Sequence, residues 1–338
     1  MREREANKIT ILGAGNWGTT LAVMLAEKGF RVGLWEFRPD AARKVQQERE
    51  NKEFLPGIRL PDQILVSSNV QEVLTDSQAV FWVLPSSVLR SVCQSIKAVL
   101  NDEILMVSAI KGIEVSSLMR CSQVLDQELG RKSSRLAVLS GPNIAPEIAR
   151  HMPSTSVVAA ERPEDAKMVQ EMLMSSYFRM YTSDDLVGLE LGGSLKNIIA
   201  IASGITDGLG LGANTKGALL TRGLAEIARL GVALGARPET FAGLSGMGDM
   251  ITTCFSQQSR NRSVGQQIGQ GRKLADILGT MSMVAEGVET TRAAYRLSQK
   301  HNVEMPITYQ MYLVLFEGKA PADALKDLMG RDAKAELW

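Results

Sequence analysis

Lys8-Ile-Thr-Ile-Leu12 runs directly into Gly13-Ala-Gly-Asn-Trp-Gly18, and the reading of this stretch decides the fold. A short apolar strand followed by GxGxxG and a helical segment is a dinucleotide-binding fingerprint. Gly13 permits the tight turn. Gly15 leaves no side chain to block close approach of a pyrophosphate, with Asn16 and Trp17 beside it. Gly18 lets the next helix pack close to the strand. The N–H groups at that helix start, at the positive end of its dipole, then hold phosphates. A glycine turn alone is a weak signal. Here Thr19–Lys28 reads as an amphipathic helix and Arg31–Trp35 as the next strand, which supplies the required context.

Outward from this unit, short apolar runs alternate with helical patterns. Further strands are expected at Ile64–Ser67, Ala79–Leu84, Ile104–Ala109, Leu136–Ser140, Ser156–Ala160 and Arg179–Thr182. Helices are expected between most of them, at Ser86–Leu100, Leu118–Leu129 and Pro163–Ser175. Such alternation implies an α/β fold with a mainly parallel, doubly wound sheet. Ligands of such sheets bind at the carboxyl ends of the strands. Asn16, Trp17, Glu36 to Arg38, Pro85, Ser86, Lys111 and Gly141 to Asn143 occupy those positions. The pattern changes near Asp184. Helices then dominate, at Leu186–Asp207, Thr215–Leu234, Ser263–Gln270, Val288–Gln299 and Pro306–Phe316, with Asn214 placed to cap the second. The expected organisation is a Rossmann-like dinucleotide-binding domain over residues 1–187 and an all-α substrate-binding and catalytic domain over residues 188–338.

Composition narrows the function. The 338 residues carry a formal net charge of +1, so no basic field points to nucleic acid. Three widely spaced cysteines, Cys93, Cys121 and Cys254, fit a reducing, cytoplasmic setting rather than a disulfide framework. Two histidines argue against a histidine-based metal centre, and no metal is expected. The charged start, Met1 to Ala6, reads as no secretory signal. No apolar run reads as long enough to span a bilayer.

Four places hold residues able to do chemistry. Lys196 stands in Gly192-Gly-Ser-Leu-Lys-Asn-Ile-Ile-Ala-Ile-Ala-Ser203, where its neighbours are apolar or small. Such a lysine either snorkels to solvent or faces a polar site with a lowered pKa suited to proton exchange. Lys111 follows a strand end and is either a ligand-facing cation or an exposed loop lysine. Gly246-Met-Gly-Asp249, Thr252-Thr-Cys254 and Ser259-Arg-Asn-Arg262 are dense in polar groups, and the planar fork of Arg260 suits a phosphate. Asp249 can orient an ammonium or bind a hydroxyl, and Glu286 is equally open. Met247, Met250, Met281 and Met283 read as packing residues. Glu36, shortly after the second strand, is placed for adenosine ribose hydroxyls and favours NAD(H); Arg38 close by leaves NADP(H) open.

Together these motifs resemble the NAD(P)-dependent glycerol-3-phosphate dehydrogenases of bacteria, over essentially the whole chain. The resemblance rests on Gly13–Gly18, Ala109-Ile-Lys-Gly-Ile-Glu114, Ser140-Gly-Pro-Asn143, Glu190-Leu-Gly-Gly-Ser-Leu-Lys-Asn197, Gly246–Asp249 and Gln258-Ser-Arg-Asn-Arg262. It implies hydride exchange between a nicotinamide and C2 of dihydroxyacetone phosphate, yielding glycerol 3-phosphate for phospholipid synthesis. It implies Lys196 as proton donor and acceptor, with Lys111 and Asp249 setting the local field. Lys111, Gly141, Asn143, Asn197, Asp249, Thr253, Ser259, Arg260 and Asn261 would contact substrate. Asn16, Trp17, Glu36, Phe37, Arg38, Lys111, Ala145, Arg260, Val284 and Glu286 would contact cofactor beside the glycines. Apart from the resemblance, the long apolar helices point to self-association, expected as a homodimer without membrane-spanning segments. Asn143 departs from the Ser or Thr usual in the family. Glu36 and Phe37 depart from the basic or small residues of many bacterial members. Two alternatives remain: a related hydroxy-acid or ketopantoate dehydrogenase, and a non-catalytic nucleotide sensor on the same fold.

Overall fold

The computed structural model describes residues 7–130, 135–281, 284–333, 335 and 336, so expectations for Met1–Ala6 and Met283 lie outside the described residues. Eight strands form one sheet: β1 (Lys8–Leu12), β2 (Arg31–Trp35), β3 (Ile64–Ser67), β4 (Ser77–Trp82), β5 (Leu105–Ser108), β6 (Leu136–Ser140), β7 (Ser154–Ala160) and β8 (Phe178–Ser183). Their spatial order is β3-β2-β1-β4-β5-β6-β7-β8. Every pair is parallel except β6 with β7. The first six strands have the dinucleotide-binding order, whose switch point lies between β1 and β4. The strands read as apolar runs because both faces are covered. Ile9, Ile11, Phe81 and Val107 enter one core layer, while Leu12, Val80, Trp82 and Met106 enter the other. β4 starts earlier than expected and stops at Trp82, which pairs with Leu12. Val83 still donates its N–H to the Leu12 carbonyl at 2.9 Å, while its own carbonyl packs against Gly13.

After Ser183 the described residues contain no strand. The expected helices occur at Leu186–Gly208, Ala213–Ala233, Arg260–Gly269, Glu286–His301 and Pro306–Phe316. Asn214 is not a cap. The second of these helices begins earlier, its cap is the extended Gly212, and Asn214 lies within the first turn. The expected division at 187/188 falls in the first turn of the Leu186–Gly208 helix. Asp185 caps that helix by accepting the Gly188 N–H at 2.8 Å. By length and composition this helix could cross a bilayer, contrary to the sequence expectation, but 89% of its apolar window is buried inside the fold. Its apolar side chains form the centre of the C-terminal core. Leu189 joins it to Val138, Val157 and Ala159 of the sheet.

Glycines let the Arg260–Gly269 helix touch the long helix backbone to backbone. A Cβ on Gly204 would come within 2.0 Å of the Arg262 carbonyl oxygen, and one on Gly265 within 1.9 Å of that of Ile201. This contact brings the Ser259-Arg260-Asn261 segment alongside Lys196. Of the methionines read as packing, Met250 is buried, Met281 is half-buried against the helical core, and Met247 is exposed.

Candidate active site

Lys196, Lys111 and Asp249 meet although they come from three distant segments. Lys196 projects from the long helix and Lys111 from the loop after β5. Asp249 opens the helix Asp249–Phe255 after a π-helical turn at Leu244–Gly248; such turns often mark functional sites. The Lys196 ammonium donates to Asp249 Oδ1 at 2.6 Å and the Lys111 ammonium to Asp249 Oδ2 at 2.8 Å. Lys111 also donates to the Gly141 carbonyl at 3.0 Å. Lys196 donates to the Thr253 hydroxyl, which itself donates to the Asp249 carbonyl at 2.7 Å. Side-chain exposure is 6% for Lys196, 2% for Asp249 and 19% for Lys111. Lys196 therefore does not snorkel, and Lys111 is no exposed loop lysine. Burial pulls the Lys196 ammonium down to about 8; Asp249 opposes that shift and the Lys111 charge adds to it.

The surrounding amides and carboxylates hold this group in register. Asn197 donates to the Lys111 carbonyl at 3.3 Å and accepts from Asn261 at 2.9 Å, and Asn261 accepts the Gly287 N–H at 3.0 Å. One helical face thus grips the lysine loop: Ser194 bonds the Gly112 carbonyl, and Glu190 accepts from the Ser122 N–H, the Ser122 hydroxyl and Arg120. At the ends of β5 and β6, Ser108 Oγ, Ser140 Oγ and Asn143 Oδ1 are buried without a partner. The Asn143 amide nitrogen reaches Ser156 Oγ at 3.3 Å. Orphaned acceptors beside two lysines suit a hydroxylated ligand.

Ser259 caps the Arg260–Gly269 helix by accepting the Arg262 N–H at 3.2 Å. Arg260, half-buried, donates to the Val284 carbonyl at 2.9 Å. It has no carboxylate within ion-pair distance among the described residues, so its fork remains available to an anion at a helix N-terminus. Glu286 crosses between the two halves. It accepts the Ser86 N–H at 3.0 Å and the Ser86 hydroxyl at 2.6 Å, and burial raises its pKa.

The glycine turn fits a dinucleotide. Gly13 has φ +115°, and a Cβ there would meet the Val83 carbonyl oxygen at 2.3 Å. A Cβ on Gly18 would meet the Gly13 carbonyl oxygen at 1.9 Å, whereas Gly15 faces open space. The helix Asn16–Glu27 has no side-chain cap at Gly15. Asn16 instead accepts the Trp17 N–H at 2.7 Å. Ala145 is buried against this helix, its carbonyl accepting from Thr20 at 3.3 Å. At the end of β2, Glu36 is buried, Phe37 is 69% exposed, and Arg38 donates its N–H and Nε to Glu36 Oε1 at 3.0 and 2.9 Å.

Two family models match the chain: the NAD-dependent glycerol-3-phosphate dehydrogenase N-terminus over residues 8–166 and the C-terminus over residues 185–326. The chain belongs to the NAD-dependent glycerol-3-phosphate dehydrogenase family. It is 50% identical over 332 residues to a glycerol-3-phosphate dehydrogenase [NAD(P)+] of Citrifermentans bemidjiense, covering 98% of this chain and 99% of the relative. A Bacillus mycoides enzyme of the same name is 49% identical, covering 98% and 97%. The crystal structure of glycerol-3-phosphate dehydrogenase from Coxiella burnetii superposes with a TM-score of 0.92 at 36% identity, covering 96% of this chain and 99% of that one.

Within this family member, sequence reasoning assigned no role to Glu190, Ser140, Asn51 or Glu53. Glu190 carried a signal, being acidic in an otherwise apolar helix one turn and a half before Lys196. Ser140 opens the Ser140-Gly-Pro-Asn143 motif without a role of its own, while Asn51 and Glu53 sit in a segment without a motif. Among the described residues no group of three or more His, Cys, Asp or Glu could hold a metal ion.

Proposed function

We propose that the chain interconverts dihydroxyacetone phosphate and sn-glycerol 3-phosphate, with NAD(H) or NADP(H) as hydride carrier. The observation carrying this reading is the buried Lys196–Asp249–Lys111 bridge beside the carboxyl ends of β5 and β6. The bound nicotinamide supplies or accepts the hydride. In reduction Lys196 donates a proton to the C2 oxygen as charge develops there; in oxidation its neutral amine takes that proton back. A pKa of about 8 keeps both forms accessible near neutrality. Lys111 adds a second, fixed positive charge beside the same oxygen, and preorganised charge of this kind is a large part of such catalysis. Asp249 holds both ammonium groups in place.

The Gly141 carbonyl and Asn143 Oδ1 offer acceptors for substrate hydroxyls. Arg260, Ser259 and the first N–H groups of the Arg260–Gly269 helix hold the phosphate. Asn197, Thr253 and Asn261 keep the lysines aimed. Gly13, Gly15, Asn16, Trp17 and Gly18 receive the pyrophosphate, Glu36 the adenosine ribose, and Phe37 and Arg38 flank it. Ala145, Val284 and Glu286 line the remaining cofactor path. Pairing into a homodimer and a cytoplasmic setting belong to the same proposal; three buried free cysteines accord with the latter.

The test follows NADH and NADPH absorbance with dihydroxyacetone phosphate and, in parallel, with ketopantoate and small keto acids. Turnover confined to dihydroxyacetone phosphate is expected. Turnover with a keto acid in its place would favour the hydroxy-acid alternative. Tight cofactor binding with no turnover on any substrate would favour the sensor.

A further inference from the structure

The ribose end of the site contains a carboxylate that no motif marks. Arg38, held against Glu36, turns its two terminal nitrogens onto Glu53, with Nη1 at 3.1 Å from Oε1 and Nη2 at 3.0 Å from Oε2. This paired geometry gives direction as well as charge. The guanidinium lies 5.5 Å from the Phe54 ring centroid and 5.8 Å from that of Phe37. Both carboxylates raise the Arg38 pKa above its ordinary value. Two carboxylates around one guanidinium leave this corner with one net negative charge.

The segment bearing Glu53 is fixed relative to the dinucleotide turn. Asn51 is 2% exposed, and its amide donates to the Ala14 carbonyl and to Thr19 Oγ1, both at 2.8 Å. Its own carbonyl accepts the Leu55 N–H at 2.7 Å, and Leu55 is buried. Glu53 is therefore presented from a loop bolted to the glycine turn. The same turn lies against β2, since the Gly13 N–H bonds the Trp35 carbonyl at 3.2 Å. Glu36, Arg38 and Glu53 thus occupy one fixed corner beside the expected path of the adenosine ribose.

We propose that Glu53 is a specificity-determining residue of the adenosine-ribose subsite: it closes Arg38 against Glu36 and so disfavours a cofactor carrying a 2′-phosphate. The inference rests on the dehydrogenase reading above for the cofactor's placement. An arginine beside the ribose ordinarily welcomes a 2′-phosphate. Here its terminal nitrogens are already engaged, and the dianionic phosphate would meet a negative corner. Neutral ribose hydroxyls face no such repulsion and find acceptors in the carboxylates.

The experiment measures kcat and KM for NADH and NADPH in the wild type, Glu53→Gln, Glu53→Ala and Glu53→Gln/Arg38→Ala proteins. Direct NADH and NADPH binding by fluorescence accompanies the kinetics. Both single variants are expected to raise the NADPH-to-NADH ratio of kcat/KM about tenfold, the scale of one lost charge pairing. The gain should appear in the NADPH KM and Kd rather than in kcat. Removing Arg38 as well should erase it. An unchanged ratio in both single variants, a loss of affinity shared equally by both cofactors, or a gain that survives without Arg38 would overturn the inference. Absence of dihydroxyacetone phosphate turnover in the wild type would instead overturn the dehydrogenase reading, while the two binding constants would still decide the role of Glu53.

Discussion

At the lysine end of the site one carboxylate, Asp249, is shared between two ammonium groups; at the ribose end one guanidinium, Arg38, is shared between two carboxylates. The first arrangement keeps one positive charge in excess and the second one negative charge. In the proposed function that excess is what each end would offer a ligand: stabilisation of a developing oxyanion at one, acceptance of hydroxyls and rejection of phosphate at the other. The two ends also differ in burial. Lys196 and Asp249 are almost wholly enclosed, whereas Arg38 and Glu53 are 38% and 45% exposed. Charges in the enclosed site act strongly and shift pKa values, while those at the ribose end are softened by water and salt.

The largest expected effect comes from removing the buried cation. Lys196→Ala should lower kcat by ~10²–10⁴-fold, the usual contribution of a positioned proton donor, with NADH affinity largely retained. Near-normal turnover would remove Lys196 from the mechanism and break the contrast at its lysine end. Asp249→Asn ranks next. Loss of its charge should depress kcat and move the Lys196 midpoint below 8, because Asp249 is the principal influence raising that pKa. A pH–rate profile of the variant reads the shift, and a rise in the midpoint would contradict it.

In the wild type the sign of the pH dependence follows from the same lysine. Reduction needs the protonated amine, so its kcat should fall as pH rises through about 8, while oxidation should rise over the same interval. Salt then separates the two ends. Raising ionic strength from ~0.05 to ~0.5 M shortens the screening length severalfold. It should narrow the discrimination between NADH and NADPH yet leave the pH midpoint of kcat nearly in place. Equal sensitivity of both would erase the distinction drawn from burial.

The smallest effect tests a buried carboxylate held by two backbone N–H groups. Glu226 is 1% exposed and accepts the Ile307 and Thr308 N–H groups at 2.7 and 3.1 Å. Burial pushes its pKa up to about 7. A carboxyl raised on folding contributes stability at low pH and loses it as pH climbs through the folded value. The melting temperature of Glu226→Gln relative to wild type should therefore improve by a few degrees between pH 5 and pH 8. A constant difference would show that Glu226 does not titrate in this range.

Much of the N-terminal sheet was legible because its signals are local. Lys8–Leu12, Arg31–Trp35 and Leu136–Ser140 are apolar runs bounded by turn residues, and they form strands with the expected ends. Ser77 and Gln78 were missed in β4 because polar residues open it, and its register is set by pairing with β1. The helix Asp249–Phe255 was read only as a polar stretch. Its π-helical entry and its seat against the long helix are tertiary effects. Lys196 was visible as a cation out of place in an apolar helix, but whether it snorkels or faces inward depends on what covers that face.

The amino-acid order alone determined the strand–glycine–helix unit, the alternation that makes a parallel sheet, and the change to helices after Asp184, since these follow from periodicity and turn chemistry within a few neighbouring residues. Only the tertiary structure decided that Asp249 stands between Lys111 and Lys196, that Glu286 reaches Ser86, and that Glu53 closes on Arg38. Each of those contacts joins segments brought together by core packing, and the free energy of a buried charge is set by its enclosure and partners in space rather than by its neighbours along the chain.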